Sequence, residues 1–232
     1  MSMSRPLVGV VSLVGLLAGG LSGCGVAGTD FHPGVAAQVD GDRISVSKVD
    51  DVAGSYCDAI VSQLQGQHQA LPLSYLRGGV AGELALKSAA EQFAAEHGVG
   101  PGEGYQQKVS QLQTATSQLP ADQVSAVIEV ESAADYISGV EEAVGEQQLR
   151  RQGTSQPGPT AAQKAGKQAF ISWLDEQDVQ IDPQFGVQIK GDQAVPADTS
   201  VSYALSEPAK QGTAQTPDQT YAAGLPASHR CG

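Results

Sequence analysis

The sequence is short of positive charge, of aromatic side chains and of cysteine. Thirteen Lys and Arg residues stand against 25 Asp and Glu residues, giving a formal net charge of −12 at pH 7. Such a chain repels nucleic acid and anionic lipid headgroups, so we expect neither as a binding partner. Aromatic residues make up 5% of the chain, with one Trp and four Phe, which limits any adhesive surface to a modest size.

Motifs of catalysis and metal binding are also lacking. The glycine-rich stretch Gly98–Gly104 follows a predicted helix and has no P-loop Lys, and no G-x-S-x-G nucleophile elbow occurs. The four histidines are scattered, with no pair at metal-ligand spacing; they are His32, His68, His97 and His229. We therefore expect no catalytic residue, no metal and no cofactor, and an enzyme is the function class we expect least.

No apolar run is long enough to cross a membrane. The run Leu7–Leu17 follows Arg5 and precedes small residues, which is the order of a secretory signal. As a helix it would rise about 16 Å at ~1.5 Å per residue, against a hydrocarbon core of about 30 Å. The sequence therefore predicts a signal peptide over residues 1–23.

The end of this signal resembles the lipobox of bacterial lipoproteins, carried here by Leu21-Ser22-Gly23-Cys24. The resemblance implies that Cys24 is acylated and anchors the chain to the membrane, with residues 24–34 as a tether. The expected location is the outer face of the cytoplasmic membrane, in the cell envelope.

Two cysteines remain once Cys24 carries lipid. Cys57 lies in a predicted helix, and Cys231 is the penultimate residue. An even pair in a compartment that permits disulfides predicts a Cys57–Cys231 bond, which would pin the end of the chain to the first helix. Two free thiols are the alternative.

A hairpin followed by a helix is predicted over residues 35–64. Val35–Val39 and Arg43–Val46 are short apolar runs, and the Asp-Gly pair between them is a strong turn signal. The period then changes to three and four residues, which indicates an amphipathic helix with Ser47 as its N-cap. A two-stranded ribbon alone is marginal in water, so another segment has to cover or extend it.

Four further helices are predicted between this hairpin and residue 177. Ser74 is placed as the cap of the first, and interior Gly139 and Gly145 are placed as bends in a third that is about 30 residues long. The predicted spans are Ser74–His97, Glu103–Leu119, Ala121–Arg151 and Thr160–Gln177.

Two short strands and a polar tail follow the helices. Val179–Ile181 and Val187–Ile189 alternate apolar and polar residues, as half-buried strands do. We expect one of them to pair with the early hairpin and so join the two ends of the domain. Residues 191–232 form a tail of low complexity, predicted to be disordered up to Cys231.

Both ends of the 35–190 segment resemble the N-terminal domain of SurA/PrsA-type chaperones. The phrase AxVDGDRISVSKVDD resembles the opening of that family, with Asp40 where Asn is common and Ser45 where Thr is common. Val179–Gly186, VQIDPQFG, resembles the closing phrase of its actinobacterial secreted members, with Gln184 in place of Arg.

The resemblance implies a mainly α fold, similar to the SurA N-terminal domain and the trigger-factor arm. A small antiparallel sheet would join the N-terminal hairpin to a C-terminal strand. Only Gln152–Pro159 separates the last two predicted helices, which leaves no room for the parvulin isomerase domain of full-length members.

The function implied by the resemblance is to hold unfolded or secreted polypeptides without catalysis. Apolar side chains in or near joints between helices are the candidate binding residues, with ordinary core packing as the alternative for each; they are Leu71, Leu73, Leu76 and Leu119. An adaptor lipoprotein that binds one specific envelope partner is the second hypothesis. A small-molecule binder is the third, without visible pocket chemistry.

Overall fold

The chain is mainly helical with a small antiparallel sheet. The computed structural model describes residues 33–197, 206–212, 214 and 216–232. The helices are α1 (Val46–Gly66), α2 (Leu73–His97), α3 (Gly102–Ala115), α4 (Ala121–Glu131), α5 (Ala133–Arg151), α6 (Pro159–Leu174), α7 (Glu207–Gly212) and α8 (Gln219–Gly224). The strands are β1 (Val35–Val39), β2 (Asp42–Ser45), β3 (Leu71–Pro72), β4 (Val179–Ile181), β5 (Val187–Lys190), β6 (Gln193–Pro196) and β7 (Arg230–Cys231).

The three-stranded sheet has the order β2-β1-β4, and all pairs are antiparallel. Asp40 and Gly41 adopt positive φ values of 43° and 92° between β1 and β2, so the turn predicted from the Asp-Gly pair is confirmed. Val39 of β1 pairs with Val179 of β4, which confirms the predicted joining of the two chain segments. This pairing supplies the third strand that a lone ribbon needs for stability.

Helix α1 begins two residues earlier than Ser47 would place it. Ser45, extended at φ −78° and ψ 153°, accepts a hydrogen bond from the Lys48 amide at 3.1 Å and is the N-cap. Ser47 lies inside the helix, so its predicted capping role is wrong. Ser74 is likewise not a cap, because α2 begins at Leu73 directly after Pro72, which has no side-chain capping bond.

The long helix predicted over Ala121–Arg151 is two helices. Ser132 interrupts it with φ −105° and ψ −1°, and its Oγ donates back to the carbonyl oxygen of Ile128 at 2.6 Å. Gly139 and Gly145 both lie within α5, so the predicted helix is interrupted at neither of them. They allow close approach instead, since a Cβ on Gly139 would overlap the carbonyl of Pro101.

Two groups of buried side chains form the core. The first joins β1, α2, α5 and α6 around an aromatic cluster in which Phe93 lies 5.2 Å from Phe170 and 5.6 Å from Trp173 between ring centroids. The second joins β1, α1, α2 and α4 and includes Val49, Leu64 and Leu76. Helix α2 contributes to both groups, so it is the central element of the domain.

The segment after residue 190 is structured in its described parts, contrary to the expected disorder. The predicted boundary at 190 falls within a β5–β6 hairpin that turns at Gly191, with φ 61°. Ala194 of this hairpin packs directly against Gly82 of α2. A Cβ at position 82 would overlap the side chain of Ala194. Ala222 of α8 is fully buried, and β7 pairs with β3. Composition misled the prediction because tertiary contacts and a covalent bond hold these short elements.

Candidate polypeptide-binding surface

Three of the four leucines proposed for polypeptide binding belong to the second core group. Leu76 is 8% exposed, and Leu71 and Leu73 are half-buried against the same group. The chain's own residues therefore cover the surface that these leucines were expected to offer. The structure brings these three together and separates them from Leu119, which lies between α3 and α4 and belongs to neither core group.

Leu119 belongs instead to a set of partly buried apolar side chains on α3, on α4 and on the segment between them. Helix α3 carries apolar residues at three- and four-residue spacing, yet none of its 14 residues is buried. We call this set the apolar stripe; its members are Tyr105, Val109, Leu112, Leu119, Val124 and Ile128. Helix α3 contacts α4, and we refer to the two helices as the α3–α4 pair.

Polar contacts with α1 hold α4 in place. Lys48 Nζ lies 2.6 Å from Glu129 Oε2, and the Tyr56 hydroxyl donates a hydrogen bond to Glu131 Oε1. Burial raises the pKa of the Tyr56 hydroxyl, and the bond to Glu131 raises it further, so Tyr56 stays a neutral donor. These contacts fix one side of α4 against the body of the domain.

Packing against α5 holds the start of α3. The rings of Tyr105 and Tyr136 meet edge to face with centroids 5.2 Å apart, and Lys87 Nζ lies 5.8 Å from the centroid of Tyr136. Burial raises the pKa of the Tyr136 hydroxyl, and Glu91 raises it further. The α3–α4 pair is therefore anchored at both ends, while its apolar stripe remains partly open to solvent.

An open depression of about 440 Å³ lies beside the start of α3. Its lining residues are Gly100, Pro101, Gly102, Glu103, Gln106 and Gln107. These residues offer amide and carboxylate groups and no nucleophile, so the depression can accept a side chain or a backbone group of a bound segment. It adds polar contacts at one end of the apolar stripe.

Within the described residues, no three His, Cys, Asp or Glu side chains come together in an arrangement that could hold a metal ion. His97 Nδ1 lies 3.0 Å from the carbonyl oxygen of Phe93, and its ring packs on that of Phe93 at 4.4 Å, so it lies against the edge of the first core group. His68 lies at a positive φ of 56° after α1, and His229 lies in a 3₁₀ turn before β7. His32 is outside the described residues.

Glu141 is the one buried acidic side chain of the described residues, at 3% exposure. Its Oε2 accepts a hydrogen bond from Gln163 Nε2 at 2.6 Å, whereas its Oε1 has no hydrogen-bond partner in the described part of the chain. Nearby, Lys167 Nζ lies 2.5 Å from Asp192 Oδ2. The pKa of Glu141 is raised to about 7: burial is the largest cause and Asp192 contributes to the rise, whereas Lys167 and Gln163 oppose it.

Cys57 and Cys231 meet as the sequence predicts, with an S–S distance of 2.11 Å and a Cα–Cα distance of 5.6 Å. Residues 1–32 lie outside the described part of the chain. They include the predicted signal peptide, the Cys24 anchor and all but the last two residues of the predicted tether. No helix in the described part of the chain has the length and apolar character needed to cross a bilayer.

The sequence shows Tyr105, Val109 and Leu112 at three- and four-residue spacing, but spacing alone does not show whether a neighbouring helix covers these side chains. Comparison of the chain with family models, with curated proteins and with solved structures gave no match.

Proposed function

We propose that this chain is a lipid-anchored, non-catalytic protein that holds non-native polypeptides at the outer face of the cytoplasmic membrane. The observation that carries the proposal is the apolar stripe of the α3–α4 pair. An amphipathic helix normally buries its apolar side, whereas none of the residues of α3 is buried. Contact with an apolar segment of another chain would remove the stripe from water.

The strength of such binding is limited by the area that is available. Because the stripe residues are already partly buried, only part of the surface of each side chain is left for a bound segment to cover. At roughly 25 cal/mol per Å² of apolar area, partial burial of a few side chains gives weak binding, and association costs reduce it further. Weak, reversible contact without sequence preference suits a holding role, in which the bound segment has to leave again in order to fold.

Charge on the α3–α4 pair selects among the segments that can bind. Acidic side chains outnumber the single basic one; the charged residues are Glu103, Lys108, Asp122, Glu129 and Glu131. The whole chain is also strongly acidic, at −12. We therefore expect apolar segments flanked by Lys or Arg to bind best, with binding that weakens as salt is added.

Suppression of aggregation tests this proposal. A reduced test protein that aggregates should stay in solution longer when the full chain is present at several-fold molar excess. The double variant Val109→Gln, Leu112→Gln removes two members of the apolar stripe while keeping helix propensity, and it should lose most of the effect. The matched control Gln111→Ala, Gln113→Ala alters exposed positions on the same helix and should keep it.

No suppression by the unaltered chain at several-fold excess would overturn the proposal. Equal suppression by the stripe variant and by the control would place the binding surface elsewhere on the chain.

An adaptor lipoprotein with one envelope partner is the second candidate, and Tyr75 is the observation that favours it. At 45% exposure it is the one large hydrophobic residue of the described chain that is well exposed. A single exposed aromatic residue fits a specific contact better than a general one. Capture of one stoichiometric partner, lost in Tyr75→Ala and accompanied by no affinity for unfolded chains, would select this candidate.

A further inference from the structure

The end of the chain folds back over the junction between α1 and α2. Cys231 is bonded to Cys57 of α1, and β7 pairs with β3 in the register Leu71↔Cys231 and Pro72↔Arg230. We call residues 219–232 the strap, because they run from α8 to the last residue and lie against this junction.

The surface beneath the strap is apolar. Cys231 is 1% exposed and belongs to the second core group together with Leu64 and Leu76. Leu71 and Leu73, at the joint between β3 and α2, are half-buried against the same group. Without the strap, the outer part of this group would face solvent.

The non-covalent attachment of the strap is small. The β3–β7 pairing comprises two residues on each side, and α8 has only six residues. The side chain of the strap's first residue makes one hydrogen bond with the body: Gln219 Oε1 accepts from the Ala70 amide at 3.1 Å. Ala222 is the one fully buried residue of α8. A two-stranded pair this short is marginal in water, so the covalent bond is the main restraint.

We propose that the strap is a redox-released cover over a second apolar surface. A thiolate of a dithiol reductant attacks Sγ of Cys57, the less buried of the two sulfurs, and Cys231 leaves as a thiolate that takes up a proton. The second thiol of the reductant then resolves the mixed disulfide and releases the Cys57 thiol. Two electrons pass to the protein, and the reductant ends as its own disulfide.

Release of the strap frees the outer edge of β3 together with the leucines beside it. An extended polypeptide can then add a strand along β3, in the place that β7 held, with its apolar side chains against Leu71 and Leu73. This use of the uncovered surface rests on the proposed holding function, whereas release of the strap does not.

Hydrogen exchange and dye binding on the full chain test the release directly. After dithiothreitol is added, amides of residues 219–232 should lose protection, and fluorescence of an apolar-surface dye should rise several-fold. Amides of β1 and β4 should stay far more protected than those of the strap. Cys231→Ser should behave as the reduced chain without reductant, and Ser62→Ala, at an exposed position of α1, should behave as the unaltered oxidised chain.

Two results would overturn the release. The strap could stay protected after complete reduction, or β1 and β4 could become as unprotected as the strap, which would make the bond a support of the whole fold. Ala222→Glu provides a second route, because it places a charge at a fully buried strap position with the bond intact. It should raise dye fluorescence, and no rise would contradict the packing described here.

A permanently unfolded, carboxymethylated protein separates this inference from the proposed function. The stripe variant Val109→Gln, Leu112→Gln should bind it weakly when oxidised and more strongly, by several-fold, when reduced. If reduction releases the strap and binding does not increase, the redox-released cover stands and the result counts against the holding role.

Discussion

Gly166 of α6 lies directly against the main-chain carbonyl of Glu141 on α5, with no space for a Cβ between them. On the same two helices, Gly145 has the same relationship with the carbonyl of Ala162. Glycines on both helices thus allow the backbones to approach each other more closely than side chains would permit. This contact fixes the position of α5, against which the start of α3 packs.

Gly166→Ala should therefore lower the free energy of unfolding by about 2–4 kcal/mol, because the added methyl has to displace backbone rather than a flexible side chain. Gly104→Ala in α3 is the matched control, since a Cβ there meets nothing within 4 Å. It should be neutral or stabilising by up to about 1 kcal/mol. Urea unfolding of both variants measures the difference, and equal stability would contradict the close contact.

The stability of the domain should fall as pH rises from about 4.5 to about 7. Burial raises the pKa of Glu141 from its ordinary 4.5 to about 7, so between these values the folded chain binds a proton that the unfolded chain has released. The stabilisation is complete below pH 4.5 and is lost as pH rises through 7. At 1.36 kcal/mol per pKa unit its upper limit is about 3 kcal/mol.

Glu141→Gln should remove this pH dependence, while Glu142→Gln at an exposed neighbouring position should retain it. The measurement is urea unfolding at pH 5 and at pH 8.5 for the two variants and the unaltered chain. A Glu141→Gln variant with the same loss of stability at high pH would refute the assignment to this carboxyl group.

Ser45→Ala should cost about 1 kcal/mol of unfolding free energy, because Ser45 Oγ accepts the Lys48 amide at the start of α1. Ser47→Ala should cost less, since Ser47 contacts only the Ser45 hydroxyl, at 2.9 Å, and caps nothing. Thermal unfolding of the two variants distinguishes them. A larger loss in Ser47→Ala would restore the cap that the sequence alone predicts.

A thiol titration of the unreduced, secreted chain should find neither Cys57 nor Cys231 free. After reduction, the unfolding free energy should drop by about 2–5 kcal/mol, because the bond closes a loop with a sequence separation of 174 residues. Two free thiols before reduction would contradict both the bond and the strap.

The sequence predicted the joining of the chain ends because its signals were local. The Asp40-Gly41 turn and the alternation in Val179–Ile181 each depend on a few neighbouring residues, and strand pairing followed from the need to stabilise a lone ribbon. The break at Ser132 was missed because the apolar period runs on through it. What ends α4 there is a side-chain bond to Ile128, which leaves no trace in periodicity.

The binding surface was predicted less well for a related reason. Leu71, Leu73 and Leu76 lie near a joint between helices, as expected, but whether a joint is open depends on what covers it. The cover comes from residues more than 140 positions further along the chain, through Arg230 and Cys231. The sequence predicted the disulfide without showing that the strap pairs with β3 at Leu71 and Pro72.

Hydrogen exchange of the full chain with and without a carboxymethylated, permanently unfolded protein tests the holding role most directly. We expect slower exchange in α3 and α4, centred on Val109 and Leu112, and no slowing in the variant Val109→Gln, Leu112→Gln. A complex that leaves α3 unprotected, or no complex at several-fold excess, would contradict it.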